Sequence, residues 1–429
     1  MKANIISLGC AKNLVDTEKL LKQFDSLGYS VDWDNENSDA DVVVVNTCGF
    51  IGDAKEESVN TILEQAERKK DGEIDQLYVI GCLPQRYADD LRVMIPEVDG
   101  YFGKFDWCGV IEKIGEKYNE KIQHERILTT PSHYAYLKIS EGCNRKCSYC
   151  AIPVMTGKHT STPIEDLIEE ATKLVKNGVK ELLVVAQDLT FYGIDLYGKN
   201  RLAELINKLA DIPGLEWLRL HYAYPAGFPI EILDVMRERD NICKYLDIAL
   251  QHSSDHMLRL MRRGITQAKT RALINTMREK VPGIFIRTTL ITGHPGETQD
   301  DFDDLCKFVT DMRFERLGVF PYSHEDETYC YDNYEDDVPD DIKQERADKI
   351  MALQSVIAEE TSASFIGKEV TVLVDREEDG YYMGRTEFDS PEVDPEVLID
   401  TEYELELGGF YDVKIVSTDG YDLIGELVS

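Results

Sequence analysis

The feature that most restricts how this chain can fold is a group of three cysteines within eight residues, Cys143, Cys147 and Cys150. A loop with this C-x3-C-x2-C spacing can direct three thiolates toward one metal centre. Ala151 stands where a c-type haem site requires histidine, so that site is excluded. A structural zinc ion takes four ligands, whereas a four-iron, four-sulfur cluster held by three cysteines keeps one iron open. The spacing favours such a cluster, with zinc or a Cys147/Cys150 redox pair as alternatives.

The residues around this loop resemble the radical S-adenosylmethionine (SAM) superfamily, in which the open iron binds the amino and carboxylate groups of SAM. The resemblance covers residues 134–143 and 150–153. It departs at Thr156 and Thr162, where much of the family has a basic residue. A charge-based contact at those two positions is therefore not expected in this chain.

Length and composition indicate a multidomain protein of a reducing compartment. A chain of 429 residues suggests roughly two to four domains. No apolar run reaches the ~18 residues that a membrane helix needs. The N-terminal apolar stretch is too short for a signal peptide, so the ten cysteines favour free or metal-bound thiols over disulfides. We expect a cytoplasmic protein without a membrane segment.

A second group of cysteines is spread over the N-terminal part of the chain. Each of three strand-like runs ends in a cysteine: residues 5–9 in Cys10, residues 42–47 in Cys48, and residues 78–81 in Cys82. Helical patterns between these runs predict a parallel sheet, and such sheets bind ligands outside the carboxyl ends of their strands. We therefore predict a second cluster with three cysteine ligands and an open iron. The alternative is three cysteines that only pack in a core.

The residues around these three cysteines resemble the N-terminal domain of the methylthiotransferases. The similar stretches are residues 7–16, 46–51 and 81–87. Within that family they are more similar to the branch that modifies a ribosomal protein than to the tRNA-modifying, MiaB-like branch, which has a different local sequence around its first two cysteines.

A β/α rhythm begins near residue 134 and continues for six units. The strand candidates are residues 136–140, 181–187, 217–222, 245–250, 284–290 and 317–322. Six units are too few for a full eight-fold barrel, so we predict the partial (β/α)6 barrel that is usual in the radical SAM superfamily. The cysteine loop follows the first strand, at the carboxyl end where barrel enzymes place their chemistry.

Polar residues follow the later strands and point to a SAM site at the same edge. They are Gln187, Asp188, His221, Gln251, His252 and Arg287. We predict that Gln187, Asp188, Gln251 and Arg287 bind the cofactor through its amino, ribose or adenine groups. Each of these residues, taken alone, is equally explained as a strand cap.

The pattern changes to short alternating strands after residue 367. The candidates are residues 369–374, 381–385, 403–407, 411–417 and 422–428. Five strands in about 65 residues predict a small OB-like β-barrel. The methylthiotransferase family has its TRAM domain in this position, and residues 384–392 resemble it. The whole chain is thus predicted as an α/β protein with an N-terminal parallel-sheet domain (1–125), a radical SAM barrel (130–365) and a TRAM domain (366–429).

The net charge of the chain indicates which class of macromolecule can bind to it. The chain has a formal net charge of −34, and residues 368–429 contain 18 acidic residues against four basic ones. Phosphate contacts dominate nucleic-acid affinity, so an acidic module of this kind should repel RNA and attract a basic protein surface, such as that of a ribosomal protein. Acidity that serves only solubility is the alternative.

The resemblance implies an enzyme that adds a methylthio group to the β-carbon of one aspartate of the small-subunit ribosomal protein S-twelve. It also implies SAM, two [4Fe-4S] clusters and an electron donor such as flavodoxin. An unactivated C–H bond resists acid–base chemistry, which explains the need for a radical cofactor. Two other functions stay open, a tRNA adenosine methylthiotransferase and a two-cluster electron carrier. The acidic C-terminal module argues against tRNA as a partner.

Overall fold

The computed structural model describes residues 1–35 and 38–428. The strands of its N-terminal part are β1 (Lys2–Ser7), β2 (Ser30–Trp33), β3 (Val42–Thr47), β4 (Gln76–Gly81) and β5 (Gly100–Tyr101). They form a parallel sheet with the order β2-β1-β3-β4-β5. The helices are α1 (Ala11–Ser26), α2 (Gly52–Lys70), α3 (Cys82–Met94) and α4 (Cys108–Lys113). Strand β3 lies in the centre because its continuous apolar run is buried on both faces, with α1 and α4 on one side and α2 and α3 on the other.

The central part is a six-stranded parallel sheet, as predicted for a partial barrel. Its strands are β6 (Tyr134–Lys138), β9 (Glu181–Val185), β10 (Trp217–Ala223), β11 (Ile242–Ile248), β12 (Phe285–Thr292) and β13 (Arg316–Pro321). They lie in the order β13-β12-β11-β10-β9-β6. A small antiparallel pair, β7 (Ser140–Glu141) and β8 (Thr160–Ser161), lies beside the first strand.

Helices connect the strands of this sheet. They are α5 (Ile152–Thr156), α6 (Ile164–Lys176), α7 (Ile194–Tyr197), α8 (Leu202–Ala210), α9 (Glu231–Glu238), α10 (Asp255–Leu260), α11 (Gln267–Lys280), α12 (Gln299–Met312), α13 (Tyr329–Asn333) and α14 (Asp340–Ala363). The apolar stripes of α6, α8, α9, α11, α12 and α14 pack against the strands in one large core. Within residues 1–35 and 38–428, every helix is too short or too polar to span a bilayer.

The C-terminal part is a closed five-stranded barrel. Its strands are β14 (Glu369–Glu378), β15 (Tyr381–Arg385), β16 (Val397–Asp400), β17 (Phe410–Asp419) and β18 (Asp422–Leu427), in the order β14-β15-β16-β18-β17. The strand predicted at residues 403–407 is wrong, since that segment is a loop and β16 takes its place. Tyr403 and Leu405 produced the alternating pattern because they pack on the barrel core without pairing to a strand.

Buried ion pairs join this small barrel to the amino ends of the central strands. Arg219 on β10 donates to Glu181 on β9 at 2.8 Å, and Arg385 on β15 pairs with the other oxygen of Glu181 at 2.8 Å. Arg385 also contacts Asp375, which accepts a hydrogen bond from His133 at 2.8 Å. The C-terminal barrel therefore sits at the strand ends opposite the cysteine loop.

We expect Arg385→Met to lower the free energy of unfolding by about 3–5 kcal/mol, because it leaves buried carboxylates without their cation. Urea denaturation of the full chain measures this. The matched control is Arg376→Met in the same barrel, which removes only the exposed pairs with Glu378 and Glu396 and should cost about 1 kcal/mol or less. Similar losses in the two variants would contradict the interpretation.

Candidate functional site

The three N-terminal cysteines stand side by side at one edge of the first sheet. Cys10 precedes α1, Cys48 directly follows β3, and Cys82 directly follows β4 as the first residue of α3. Strands β1, β3 and β4 are neighbours in the sheet, so the predicted convergence of these strand ends is present. Cys10 is exposed, Cys48 is half-buried and Cys82 is buried, so they are not simply three core residues.

Glycines beside the cysteines allow this close approach. A side-chain carbon on Gly9, whose φ is +91°, would stand 2.8 Å from the Cβ of Cys48. One on Gly49 would stand 2.9 Å from the carbonyl of Cys82. Atoms cannot approach that closely, so only glycine lets the three cysteine segments pack together.

The second cysteine loop comes from the carboxyl end of β6. The backbone N–H of Arg145 donates to the Sγ of Cys143 at 3.4 Å. Gly142 has a φ of +71°, and a Cβ there would meet the carbonyl oxygen of Lys158 at 2.2 Å, so this turn requires glycine. Cys82 packs against Ala151 and Met155, just after the loop, which brings the two cysteine groups together.

All six cysteines line one cavity of about 350 Å³ between the N-terminal sheet and the barrel. We call Cys10, Cys48 and Cys82 the sheet trio, and Cys143, Cys147 and Cys150 the barrel trio. All ten cysteines of the chain are free. Two groups of thiols from separate folding units thus face a common space.

Charges near the sheet trio act differently on its members. Burial raises the pKa of Cys82 to about 12 and also raises the pKa of Cys48. Partial desolvation by the surrounding atoms opposes ionisation of Cys10 as well, yet the charges of Lys12 and Lys104 and two backbone N–H groups lower its pKa overall. Cys10 is therefore the member of this trio most ready to act as a thiolate.

A buried network holds Lys104 in that position. Its ammonium donates to Asn13 at 2.8 Å and to Asp16 at 2.9 Å, and Asp16 also accepts from Lys138 on β6. Burial favours the neutral form of Asp16, but Lys104 and Lys138 lower the pKa of Asp16 to about 2. The network ties α1 to the first strand of the barrel.

Cationic and aromatic side chains surround the barrel trio. Arg263 donates to the Sγ of Cys147 at 3.2 Å and to the hydroxyl of Tyr149 at 3.1 Å. Burial raises the pKa of Cys143 to about 11 and raises that of Cys150 further. Because bound metal deprotonates a coordinating thiol, the positive charge of Arg263 would offset the negative charge gained.

Of the four predicted SAM-binding residues, the structure places two in the cavity lining and two outside it. Gln187 and Gln251 line the cavity, whereas Asp188 and Arg287 lie outside its lining. Asp188 accepts a hydrogen bond from Arg145 at 2.7 Å, and Arg145 is the one of the pair that lines the cavity. Arg287 pairs with Asp394 of the C-terminal barrel at 2.6 Å. A direct contact of any of these four residues with SAM stays a prediction.

The residues present fit the implied cofactors. The side-chain oxygen of Gln251 is buried without a hydrogen-bond partner, and its backbone has a φ of +72°. A buried orphan acceptor in strained backbone at a cavity is suited to a donor such as the SAM ammonium or a ribose hydroxyl. Among the described residues, no three His, Cys, Asp or Glu side chains lie close enough to hold a single metal ion. Free thiolates are the ligands of iron–sulfur clusters.

An acidic segment, residues 325–327, joins the barrel to the N-terminal sheet domain through Arg86. The buried Arg86 side chain donates to the carbonyl of Gly49 at 2.9 Å and to Asp326 at 2.6 Å. Glu325 also accepts from Lys55 on α2 at 2.6 Å. No local pattern marks Arg86 as a contact residue, because its partners lie about 240 residues away along the chain. The contact holds the segments of Cys48 and Cys82 against the barrel.

Solved structures with a similar fold include two radical SAM enzymes. The methyltransferase TsrM from Kitasatospora setae, with cobalamin and a [4Fe-4S] cluster bound, has a TM-score of 0.53 and 14% identity, over 75% of each chain. The cobalamin-dependent enzyme OxsB has a TM-score of 0.53 and 12% identity, over 82% of this chain and 56% of that chain. At such identities the similarity shows the fold alone.

Three family models match consecutive parts of the chain. They are the Uncharacterized protein family UPF0004 at residues 2–103, the Radical SAM superfamily at residues 137–309, and the TRAM domain at residues 366–428. The matches fall on the first sheet, the partial barrel and the closed barrel in turn.

Curated relatives that bear the name ribosomal protein uS12 methylthiotransferase RimO match the chain from end to end. The protein of Porphyromonas gingivalis is 59% identical over 100% of this chain and 99% of its own length. That of Bacteroides fragilis is 56% identical, over 99% of both. That of Cytophaga hutchinsonii is 52% identical, over 100% of this chain and 98% of its own. Taken with the three domain matches, this identity means that the chain belongs to the RimO family of radical SAM methylthiotransferases.

Proposed function

We propose that this protein transfers a methylthio group to the β-carbon of an aspartate in ribosomal protein uS12 (S-twelve). The observation that carries the proposal is the shared cavity, which has both the sheet trio and the barrel trio in its lining. Transfer of a sulfur group to an unactivated carbon needs two functions side by side, one that activates the carbon and one that holds the sulfur.

The barrel trio would hold one [4Fe-4S] cluster and the sheet trio a second. When bound, these clusters and SAM supply the one-electron chemistry and the sulfur group that protein side chains lack. The chain's own residues orient and shield them. Arg263 and Tyr149 cover Cys147, and Gln187 and Gln251 offer hydrogen bonds to SAM from the barrel side of the cavity. We assign residues 1–125, 130–365 and 366–429 as the three domains that divide this work.

Surface charge supports a basic protein as the substrate. Twelve of the carboxylates between residues 368 and 428 are exposed, on the outside of the C-terminal barrel and its loops. A surface of this sign draws in a basic ribosomal protein and repels the phosphates of tRNA. Since uS12 is made and assembled in the cytoplasm, the reaction takes place there, with electrons from a donor such as flavodoxin.

Mass spectrometry of small-subunit proteins from cells with and without this gene tests the proposal. We expect uS12 to gain one methylthio group on a single aspartate only when the gene is present. A parallel arm incubates the purified enzyme with total tRNA at low salt, where a tRNA enzyme would bind strongly and release as salt rises. Salt-sensitive tRNA binding with unmodified uS12 would overturn the proposal in favour of a tRNA substrate.

A further inference from the structure

Four cationic side chains line the cavity that the two trios share: Lys12, Lys104, Arg145 and Arg263. Three of them have acceptors within the protein. Lys104 donates to Asp16, Arg145 to Asp188, and Arg263 to Tyr149 and to the carbonyl of Ala249. The N–H donors of these three side chains are therefore already used within the protein, with a carboxylate as partner for Lys104 and Arg145.

Lys12 differs from the other three. Its side chain is only 6% exposed, and its ammonium lies 3.8 Å from the centre of the Tyr222 ring. Across residues 1–35 and 38–428, Lys12 makes no hydrogen bond and no salt bridge through its side chain. An aromatic face attracts a cation, but it supplies no counter-charge, and a buried charge without a partner is costly. The Cys10 thiol is the group whose ionisation the Lys12 charge favours, and the described residues place no carboxylate in contact with this ammonium.

Two carboxylates lie near the Lys12 ammonium without reaching salt-bridge distance of it. Glu141 accepts from Lys138, and Asp247 lines the cavity, where burial raises the pKa of its carboxyl to about 6. The Cys10 thiol is two residues away in sequence and belongs to the sheet trio. These groups leave the Lys12 ammonium without a carboxylate within salt-bridge distance in the described part of the chain.

We propose that the Lys12 ammonium, seated on the Tyr222 ring, binds the side-chain carboxylate of the aspartate that is modified. The inference rests on the proposed function and adds the residue that recognises the substrate. In an aspartate the carboxylate is bonded directly to the β-carbon. A cation that holds the carboxylate therefore also holds the reacting carbon between the two trios, and it selects aspartate over asparagine.

A carboxylate is also present in SAM, so the experiment separates the two sources. The full chain is reconstituted anaerobically as wild type, Lys12→Met, Lys12→Arg and a control, Lys22→Met. The control removes a half-buried lysine of the same helix α1, which is paired with Asp25. For each we measure iron per chain, the KM for SAM in substrate-free cleavage, and the Kd for uS12 with aspartate or asparagine at the modified position.

We expect Lys12→Met to weaken binding of aspartate-containing uS12 by roughly 10- to 100-fold, the scale of one charge-assisted hydrogen bond. Iron content should stay unchanged, because Lys104 and two backbone N–H groups still favour the Cys10 thiolate. Binding of the asparagine form and the KM for SAM should also stay unchanged, and Lys12→Arg should restore most of the preference for aspartate. The control should behave as wild type.

Three results would overturn the inference. They are an equal loss for the aspartate and asparagine forms, a raised KM for SAM alone, which assigns Lys12 to the SAM carboxylate, and a loss of iron, which assigns it to the cluster. If wild-type enzyme leaves uS12 unmodified, the proposed function itself fails. If wild type modifies uS12 and Lys12→Met still prefers aspartate, only the role of Lys12 fails.

Discussion

Joint replacement of Cys143, Cys147 and Cys150 by alanine should abolish SAM cleavage and leave about half of the iron on the chain. The expected loss is complete because SAM is assigned to the barrel trio, on the side of the cavity where Gln187 and Gln251 lie, whereas the sheet trio is assigned to the sulfur group. The sheet trio is formed by different elements, the ends of β1, β3 and β4, so its share of the iron should remain. Production of 5′-deoxyadenosine and iron per chain, both after anaerobic reconstitution, are the measurements.

Cys306→Ala is the matched control for this variant. Cys306 is a half-buried free cysteine on α12 of the same barrel, outside the cavity lining. It should retain full SAM cleavage and full iron. Undiminished 5′-deoxyadenosine from the triple variant would show that SAM is activated elsewhere, and it would remove the assignment of the barrel trio.

The second large effect is expected when the sheet trio is removed and the barrel trio is kept. Joint replacement of Cys10, Cys48 and Cys82 by alanine should eliminate methylthio transfer to uS12 while SAM cleavage continues. The reason is spatial, because the barrel trio and Arg263 remain intact when the sheet trio is removed. The iron assigned to the sheet trio, about half of the total, should be lost. Product by mass spectrometry and 5′-deoxyadenosine in the same sample distinguish the two steps.

Cys108→Ala serves as the control in the N-terminal part of the chain. Cys108 is half-buried at the start of α4 and lies outside the cavity lining. Its loss should change neither iron content nor product. Full methylthiolation by the sheet-trio variant, or wild-type protein that carries only about four irons per chain in total, would contradict a second cluster.

Much of the architecture could be predicted because its signals are local. The spacing of Cys143, Cys147 and Cys150 lies within eight residues, and the six barrel strands show as separate apolar runs between helices. The meeting of Cys10, Cys48 and Cys82 followed from a general rule, that parallel strands present their carboxyl ends at one edge. The prediction failed where the same local pattern fits both a strand and a packed loop. The alternation at residues 403–407 is satisfied by packing rather than by strand pairing.

Tertiary structure alone decided how the units meet. Three contacts depend on segments far apart in sequence: that of Arg86 with residues 325–327, the buried Arg219–Glu181–Arg385 pairs, and that of the Lys12 ammonium with the Tyr222 ring. No periodicity or spacing encodes such contacts, because they depend on which surfaces become neighbours after each unit has folded. The sequence by itself determined the two trios of thiols and the three folded units. The packing of those units decided that both trios share one cavity and which charged side chains line it.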